Sequence, residues 1–205
     1  MVAARSSIYR RVMISISMKS CFQLIASSAV GMLFNTGCSS IQQTQAPAPG
    51  PPSDTVSYWR GDSMAGSPSV RIRLSEQRAY FFKGDQLAGV SLISSGSEGR
   101  DTVTGSFKVI QKDQNHRSSV YGEYLGPDGA VVQKDVDTRK DSMPQGAHYS
   151  GAPMPNFMRI VAGTGMHEGF LPGYPASHGC IRMPGFMAAA FFRSVSVGTP
   201  VRIDP

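Results

Sequence analysis

His167, His178 and Cys180 fall within a stretch of fourteen residues, inside a segment that runs GTGMHEGFLPGYPASHGCIRMP from Gly163 to Pro184. These residue types suit acyl transfer by a thiol. A cysteine attacks a carbonyl as its thiolate, and a free thiol with a pKa of about 8.5 needs a base or a cation beside it to reach that form near neutrality. Imidazole takes up and returns a proton in that range. The oxyanion that forms needs main-chain donors, and the N–H groups of Gly179 and Cys180 are candidates, because glycine lets a substrate approach the backbone closely. Glycine and proline on both sides predict a loop that folds back and carries His167 onto Cys180. The same three side chains are also candidate metal ligands, but no spaced cysteine pair or fourth ligand accompanies them. His116 and His148 read as ordinary surface or turn residues.

The elements that must hold this loop are mostly strands. Val70, Ile72 and Leu74 alternate with Arg71 and Arg73, the pattern of a half-buried strand with charge outward. Ala79 to Phe82 and Leu87 to Ser94 are β-prone runs around Lys83-Gly84-Asp85-Gln86, which predicts a hairpin. Phe107 to Ile110, Ala130 to Val136, Phe157 to Val161 and Val201 to Ile203 also read as strands. Phe186 to Val195 reads as a helix, with Pro184 ahead of it and Gly198 beyond. Its phenylalanine and methionine positions are expected in the core. The domain is therefore mainly β, with a helix directly after the Cys180 segment.

The chain has 205 residues, 40% of them hydrophobic and 17% charged, enough for one domain plus additional sequence. Its formal charge of +6 is no argument for a nucleic-acid partner. Arg5, Arg10, Arg11 and Lys19 precede residue 38 and no acid does, so without them 16 basic residues face 14 acidic ones. The basic residues precede an apolar run, CFQLIASSAVGMLF from Cys21 to Phe34, that is too short for a typical membrane span and suits a secretory signal. Met18 is an alternative start. Thr36-Gly37-Cys38-Ser39-Ser40 resembles a bacterial lipoprotein signal, which implies a lipid on Cys38. Asn35 departs from that pattern, and a plain cleaved or membrane-retained signal is the other reading. Residues 38–57 are rich in Gln, Ser and Pro and read as a tether to a domain over 58–205. Cys21 would leave with the signal and Cys38 would carry lipid, so Cys180 remains as an unpaired thiol, a mark of reactivity in an exported protein.

The motif His167, then Ser177-His178-Gly179-Cys180-Ile181-Arg182, resembles that of the L,D-transpeptidase (YkuD-type) family. The lead-in Pro172-Gly173-Tyr174-Pro175-Ala176, the element Thr104-Gly105-Ser106-Phe107 and the closing Gly198-Thr199-Pro200-Val201 look like that family too. Val103 stands where proline is usual. The likeness covers about Val70 to Ile203, and the short spacer before Ser177 predicts a compact loop. It implies a single β-sandwich or barrel-like domain. It implies that Cys180 is the nucleophile and His167 its base, and that Ser177, His178 and Gly179 shape the pocket and the oxyanion contacts. Arg182 would pair with a carboxylate or carbonyl of the donor, or else serve as a structural ion-pair residue.

The resemblance further implies the reaction. Cys180 attacks the third residue of a peptidoglycan stem tetrapeptide, D-alanine leaves, and a thioester passes the acyl group to the side-chain amine of another stem, a 3→3 cross-link. No metal or organic cofactor is required. Water, a free D-amino acid or a lipoprotein lysine are alternative acceptors, and a non-catalytic peptidoglycan-binding lipoprotein is the reading from another class. The expected location is the periplasmic face of the envelope, with a lipid on Cys38 holding the chain in the outer membrane.

Overall fold

A computed structural model describes residues 54–205. The signal segment, Cys38 and the tether up to residue 53 lie outside the described residues. Asp54 caps the first turn by accepting from the Val56 and Ser57 amides, and Ser57 Oγ accepts from the Leu92 amide at 2.8 Å.

Three sheets carry the domain. The first holds six strands in the order β1 (Tyr58–Trp59), β4 (Gln86–Leu92), β3 (Arg78–Lys83), β2 (Pro68–Arg73), β13 (Pro200–Asp204) and β5 (Gly105–Lys108). The second holds β12 (Ile181–Met183), β11 (Thr164–Glu168), β10 (Phe157–Val161) and β6 (Gln111–Asp113), and the third β8 (Val131–Asp137), β7 (Arg117–Leu125) and β9 (His148–Pro153). The alternation of β2 does what its pattern predicts. Val70 and Ile72 are buried, while Arg71 and Arg73 point outward to Asp204 and Glu76. The hairpin forms through β3 and β4.

The first two sheets share one core with the helix α1 (Gly185–Ser194). Ile72, Phe81 and Ile203 of one sheet and Met158, Met166 and Ile181 of the other meet Met187, Ala188 and Phe191 of the helix there. Trp59, Phe81 and Phe191 pack ring against ring at 5.0 and 4.9 Å between centroids. A ten-residue helix is marginal by itself, so this packing holds it. Lys112 completes its end by donating to Val195 O at 2.8 Å. Phe186, expected in the core, is 55% exposed instead. It stands to the side of the stripe formed by Met187, Ala188, Ala190 and Phe191, where the buried positions do not reach.

The third sheet buries Val136 and Tyr124, which lie outside the main core cluster. Its strands β7 and β9 approach unusually closely where Gly122 faces Gly151. A Cβ at Gly122 would lie 2.2 Å from Ser150 O, and one at Gly151 2.0 Å from Ser118 O. Only glycine permits this approach, and it sets the edge that faces the Cys180 loop. β1, β6, β7, β9, β11 and β12 lie outside the expected strands, being short, polar or interrupted by glycine. No helix among the described residues is long and apolar enough to cross a membrane.

Candidate active site

His167 lies on a strand, and Cys180 directly precedes the neighbouring parallel strand, so the two do not sit on two limbs of one loop. His167 lies on β11, which pairs in parallel with β12, and its register partner is Arg182. Parallel strands need a long crossover, commonly a helix. Here the crossover is the Gly- and Pro-rich segment 169–180, and Cys180 ends it one residue before β12. The expected loop therefore starts after His167, and two strands fix what a loop would leave free.

The turn before Cys180 is tied from both sides. Gly179 takes φ +105, a conformation that L side chains rarely adopt. Ser177, buried, accepts the Gly179 amide on Oγ at 3.1 Å and donates the same hydroxyl to Cys180 O. The backbone of Ser177 is held by Ser95 O at 2.9 Å and by the Ser97 amide at 3.0 Å. Thr102 Oγ1 donates to Gly179 O at 3.0 Å and accepts the Gly96 amide at 2.9 Å. The Gly179 N–H is thereby taken. This corrects the expected pair of oxyanion amides, since a donor already bound to Ser177 does not also face a substrate.

His167 is 5% exposed. Its Nδ1 lies 2.6 Å from Glu168 O, and a carbonyl only accepts, so Nδ1 carries the proton and Nε2 is left bare. The Glu168 carboxylate sits apart, against Gly185 at the start of α1. Burial pushes the imidazole down to about 4, with the charges of Arg182 and His116 acting in the same direction and the Glu168 carbonyl opposing them. Burial likewise raises the Cys180 thiol, against the Gly165 amide and the Arg182 and Arg159 charges. Sγ lies 3.5 Å from Gly163 O. At neutral pH the two groups are therefore a neutral thiol and a neutral imidazole. They share a cavity of about 490 Å³.

His178 goes elsewhere. It stacks on Tyr121 of β7 with ring centroids 4.1 Å apart and planes 20° from parallel. Arg139 holds Tyr121 by donating to its hydroxyl at 2.7 Å, and Asp137 holds Arg139 at 2.9 and 2.8 Å. A Ser-His-Gly-Cys stretch that is not extended thus sends its histidine to the third sheet. Among the described residues no cluster of His, Cys, Asp or Glu is spaced to hold a metal ion. Arg182 lines the cavity and forms no ion pair among the described residues. Arg139 and Arg159 line it too, and no Asp or Glu among the described residues does, so the cavity suits an anionic ligand.

Residues 67–203 match the family described as the L,D-transpeptidase catalytic domain, YkuD. The chain belongs to the YkuD family of L,D-transpeptidase catalytic domains. Solved structures share this domain's mainly β fold. An L,D-transpeptidase from Mycobacterium smegmatis is 16% identical, with a TM-score of 0.51 over 68% of this chain and 59% of that one. An L,D-transpeptidase solved in complex with imipenem is 19% identical, with a TM-score of 0.51 over 67% of this chain and 59% of that one. The chain thus spans about three fifths of the length of these structures. No curated protein matches it in sequence. The YkuD family acts on the cell wall, outside the cytoplasm.

Three groups of this L,D-transpeptidase domain carried no signal in the sequence as residues of the site. Tyr121 comes from a strand nearly sixty residues earlier than Cys180, in an unremarkable β-prone run. His116, read as a surface residue, is half-buried, stacks on Phe157 at 4.3 Å and lines the cavity. Asp113 accompanies it at 2.9 Å. The segment Ser94 to Thr102 forms the cradle of Ser177 and Gly179.

Two expected results follow from these contacts. Thr102→Val keeps the shape of a buried side chain but leaves the Gly96 N–H and Gly179 O unmet, a loss of about 1–3 kcal/mol. The thermal midpoint should fall by several degrees, and an unchanged midpoint would show that the cradle bears no load. Tyr121→Ala removes the stack on His178 and should lower the rate of acyl transfer about tenfold, with a fall of only a few degrees in the thermal midpoint, as aromatic pairs contribute about 0.5–1.5 kcal/mol. Tyr121→Phe keeps the ring and should stay within about threefold of the wild type. Equal rates in Tyr121→Ala and the wild type would remove any role for the stack.

Proposed function

We propose that this chain is a peptidoglycan L,D-transpeptidase in which Cys180 is the nucleophile and His167 its base. The observation that carries this reading is the His167 tautomer. The Glu168 carbonyl holds the proton on Nδ1, which leaves Nε2 free to accept, burial keeps the ring neutral, and His167 lines the same cavity as Cys180. The imidazole takes the thiol proton as sulfur attacks, so no free thiolate has to persist in a buried place that disfavours it.

Cys180 Sγ attacks the carbonyl of the third residue of a stem tetrapeptide. The Cys180 N–H serves the oxyanion. The proton on His167 passes to the departing nitrogen, D-alanine leaves, and a thioester remains. Arg182 and its neighbouring guanidinium groups take the donor's carboxylates. Ser177 and Gly179 shape the turn, and His178 forms the wall beside Tyr121. An amine of another stem then takes the acyl group and forms a 3→3 cross-link. Upstream, residues 1–37 serve as an export signal, Cys38 as the lipidated anchor in the outer membrane and residues 38–57 as the tether of the catalytic domain. The chain then works at the periplasmic face.

The test is intact-mass spectrometry of the protein with a synthetic stem tetrapeptide. A mass gain equal to the acyl tripeptide, reversed by hydroxylamine and mapped to Cys180, is expected. Release of D-alanine with no adduct in the wild type, and undiminished in Cys180→Ala, would refute the reading. For the anchor, Cys38→Ser should release the chain from membranes, and recovery of the wild type as a soluble protein without lipid mass would refute lipidation.

A further inference from the structure

The register of the second sheet sets Arg159 in one row with the Cys180 thiol. Gln111 of β6 faces Arg159 of β10, and Arg159 faces Gly165 of β11. Met166 pairs with Ile181, so one step earlier Gly165 stands beside Cys180. Partners across a ladder share a face of the sheet. The residue between the guanidinium and the thiol is therefore a glycine, with no side chain to separate them. A Cβ there would lie 2.6 Å from the Phe157 ring, so the gap is kept open by packing from below.

Arg159 is fixed in place. Its Nε donates to Gln111 Oε1 at 2.8 Å, its Nη1 donates to Ala162 O at 2.7 Å, and its guanidinium lies 5.0 Å from the centre of the buried Phe157 ring. The next carbonyl of the same turn, Gly163 O, lies 3.5 Å from Cys180 Sγ. The guanidinium is thus anchored one peptide unit away from the sulfur. Its Nη2 has no hydrogen-bond partner and it forms no ion pair among the described residues. Asp113, on the same face, is held by His116 at 2.9 Å. Arg159 lines the cavity of Cys180, and its charge reaches the thiol.

We infer that Arg159 is a specificity-determining residue that receives the carboxylate of the departing C-terminal amino acid. The inference rests on the reading that a peptide donor acylates Cys180. Attack brings sulfur to about 3–3.5 Å from the scissile carbonyl. One further residue spans about 3.3–3.6 Å, so the terminal carboxylate of the donor comes within about 7 Å of Sγ. That is the span between the sulfur and a guanidinium anchored at the neighbouring carbonyl. A planar fork already aligned by two hydrogen bonds suits a carboxylate. Arg182 and Arg139 remain for carboxylates of the acyl part. A donor whose last carboxylate is an amide leaves the Arg159 charge unanswered and acylates Cys180 more slowly.

The experiment uses three synthetic stem tetrapeptides: one with its carboxylates free, one amidated at the C-terminal D-alanine, and one amidated at the side-chain carboxylate of the third residue. Intact-mass spectrometry reads the rate of acyl-enzyme formation with each. The wild type should prefer the free donor over the C-terminal amide about tenfold or more, the scale of a hydrogen bond between charged groups. Arg159→Gln should bring that ratio near one and leave the ratio for the third-residue amide unchanged. Arg159→Lys, which keeps the charge without the fork, should retain part of the preference. Each ratio is taken within one preparation, so a loss of folded protein cancels. Equal rates for the free donor and the C-terminal amide in the wild type, or a preference that survives in Arg159→Gln, overturn the inference and leave the thioester reading standing. An Arg159→Gln effect confined to the third-residue amide overturns it as well. Absence of an acyl-enzyme with all three donors overturns the thioester reading, and the inference with it.

Discussion

Cys180→Ala is expected to abolish thioester formation and D-alanine release while the protein stays folded. The side chain is half-buried at the end of a turn whose geometry is set by other groups, namely Gly179, Ser177 and Thr102. Removing one sulfur leaves those hydrogen bonds in place, and the loss of packing is that of one small, partly exposed side chain. The effect on rate has no such limit. A covalent path divides a difficult acyl transfer into two easier steps, and without the nucleophile no path of that kind remains. The fall should exceed about 10³-fold, larger than the contribution of a single base. The measurement is D-alanine released from a tetrapeptide, with near-ultraviolet circular dichroism as the check on folding. Release at more than a few per cent of the wild-type rate, in a folded variant, would show that the nucleophile lies elsewhere.

His167→Ala should lower the rate of Cys180 acylation by about 10²–10⁴-fold, the usual share of a general base. His178→Ala should cost less, because its ring is stacked on Tyr121. Alkylation of Cys180 across a pH series separates the two, since loss of the thiol's proton acceptor slows alkylation near neutrality and loss of a wall residue does so far less. A large effect from His178→Ala and none from His167→Ala would reverse the roles. Acidity adds a second test. Because burial pushes His167 down to about 4, Nε2 stays available far below the ordinary histidine range, and the acid limb of the acylation rate should lie near 4. A limb at about 6.5 would show that the base is a solvated histidine.

The same shift has a sign for stability. The unfolded chain protonates His167 below about 6.5, and the folded one resists until about 4. Stability from this group is therefore fully present above about 6.5 and is lost as pH falls toward 4, by about 3 kcal/mol in all. Carboxylates titrate over the same range in any variant. The difference between wild type and His167→Gln in their loss of thermal midpoint from pH 7 to pH 4.5 isolates the histidine, and equal losses would contradict its burial as a neutral ring.

The sequence by itself determined the family and the mainly β architecture, and it singled out His167, His178, Cys180 and Arg182 as candidates, because those depend on local pattern. Alternation along Val70 to Leu74 can bury one face only as a strand, and a cysteine after Ser-His-Gly with a histidine upstream is a local arrangement. What the tertiary structure decided is how these groups are aimed. Register placed His167 opposite Arg182 on a parallel strand, although nothing in a Gly-rich run such as GTGMHEG predicts pairing across twelve residues of crossover. Burial, a property of the whole fold, drove the imidazole and the thiol to their neutral forms. Long-range contacts chose Tyr121 as the partner of His178 and Thr102 as the anchor of Gly179, and the folded turn gave the Gly179 amide to the Ser177 hydroxyl rather than to a substrate. Each of these joins residues that are distant in the chain or turns on a hydrogen bond that only folding makes, and neither leaves a periodicity or a spacing for the sequence to display.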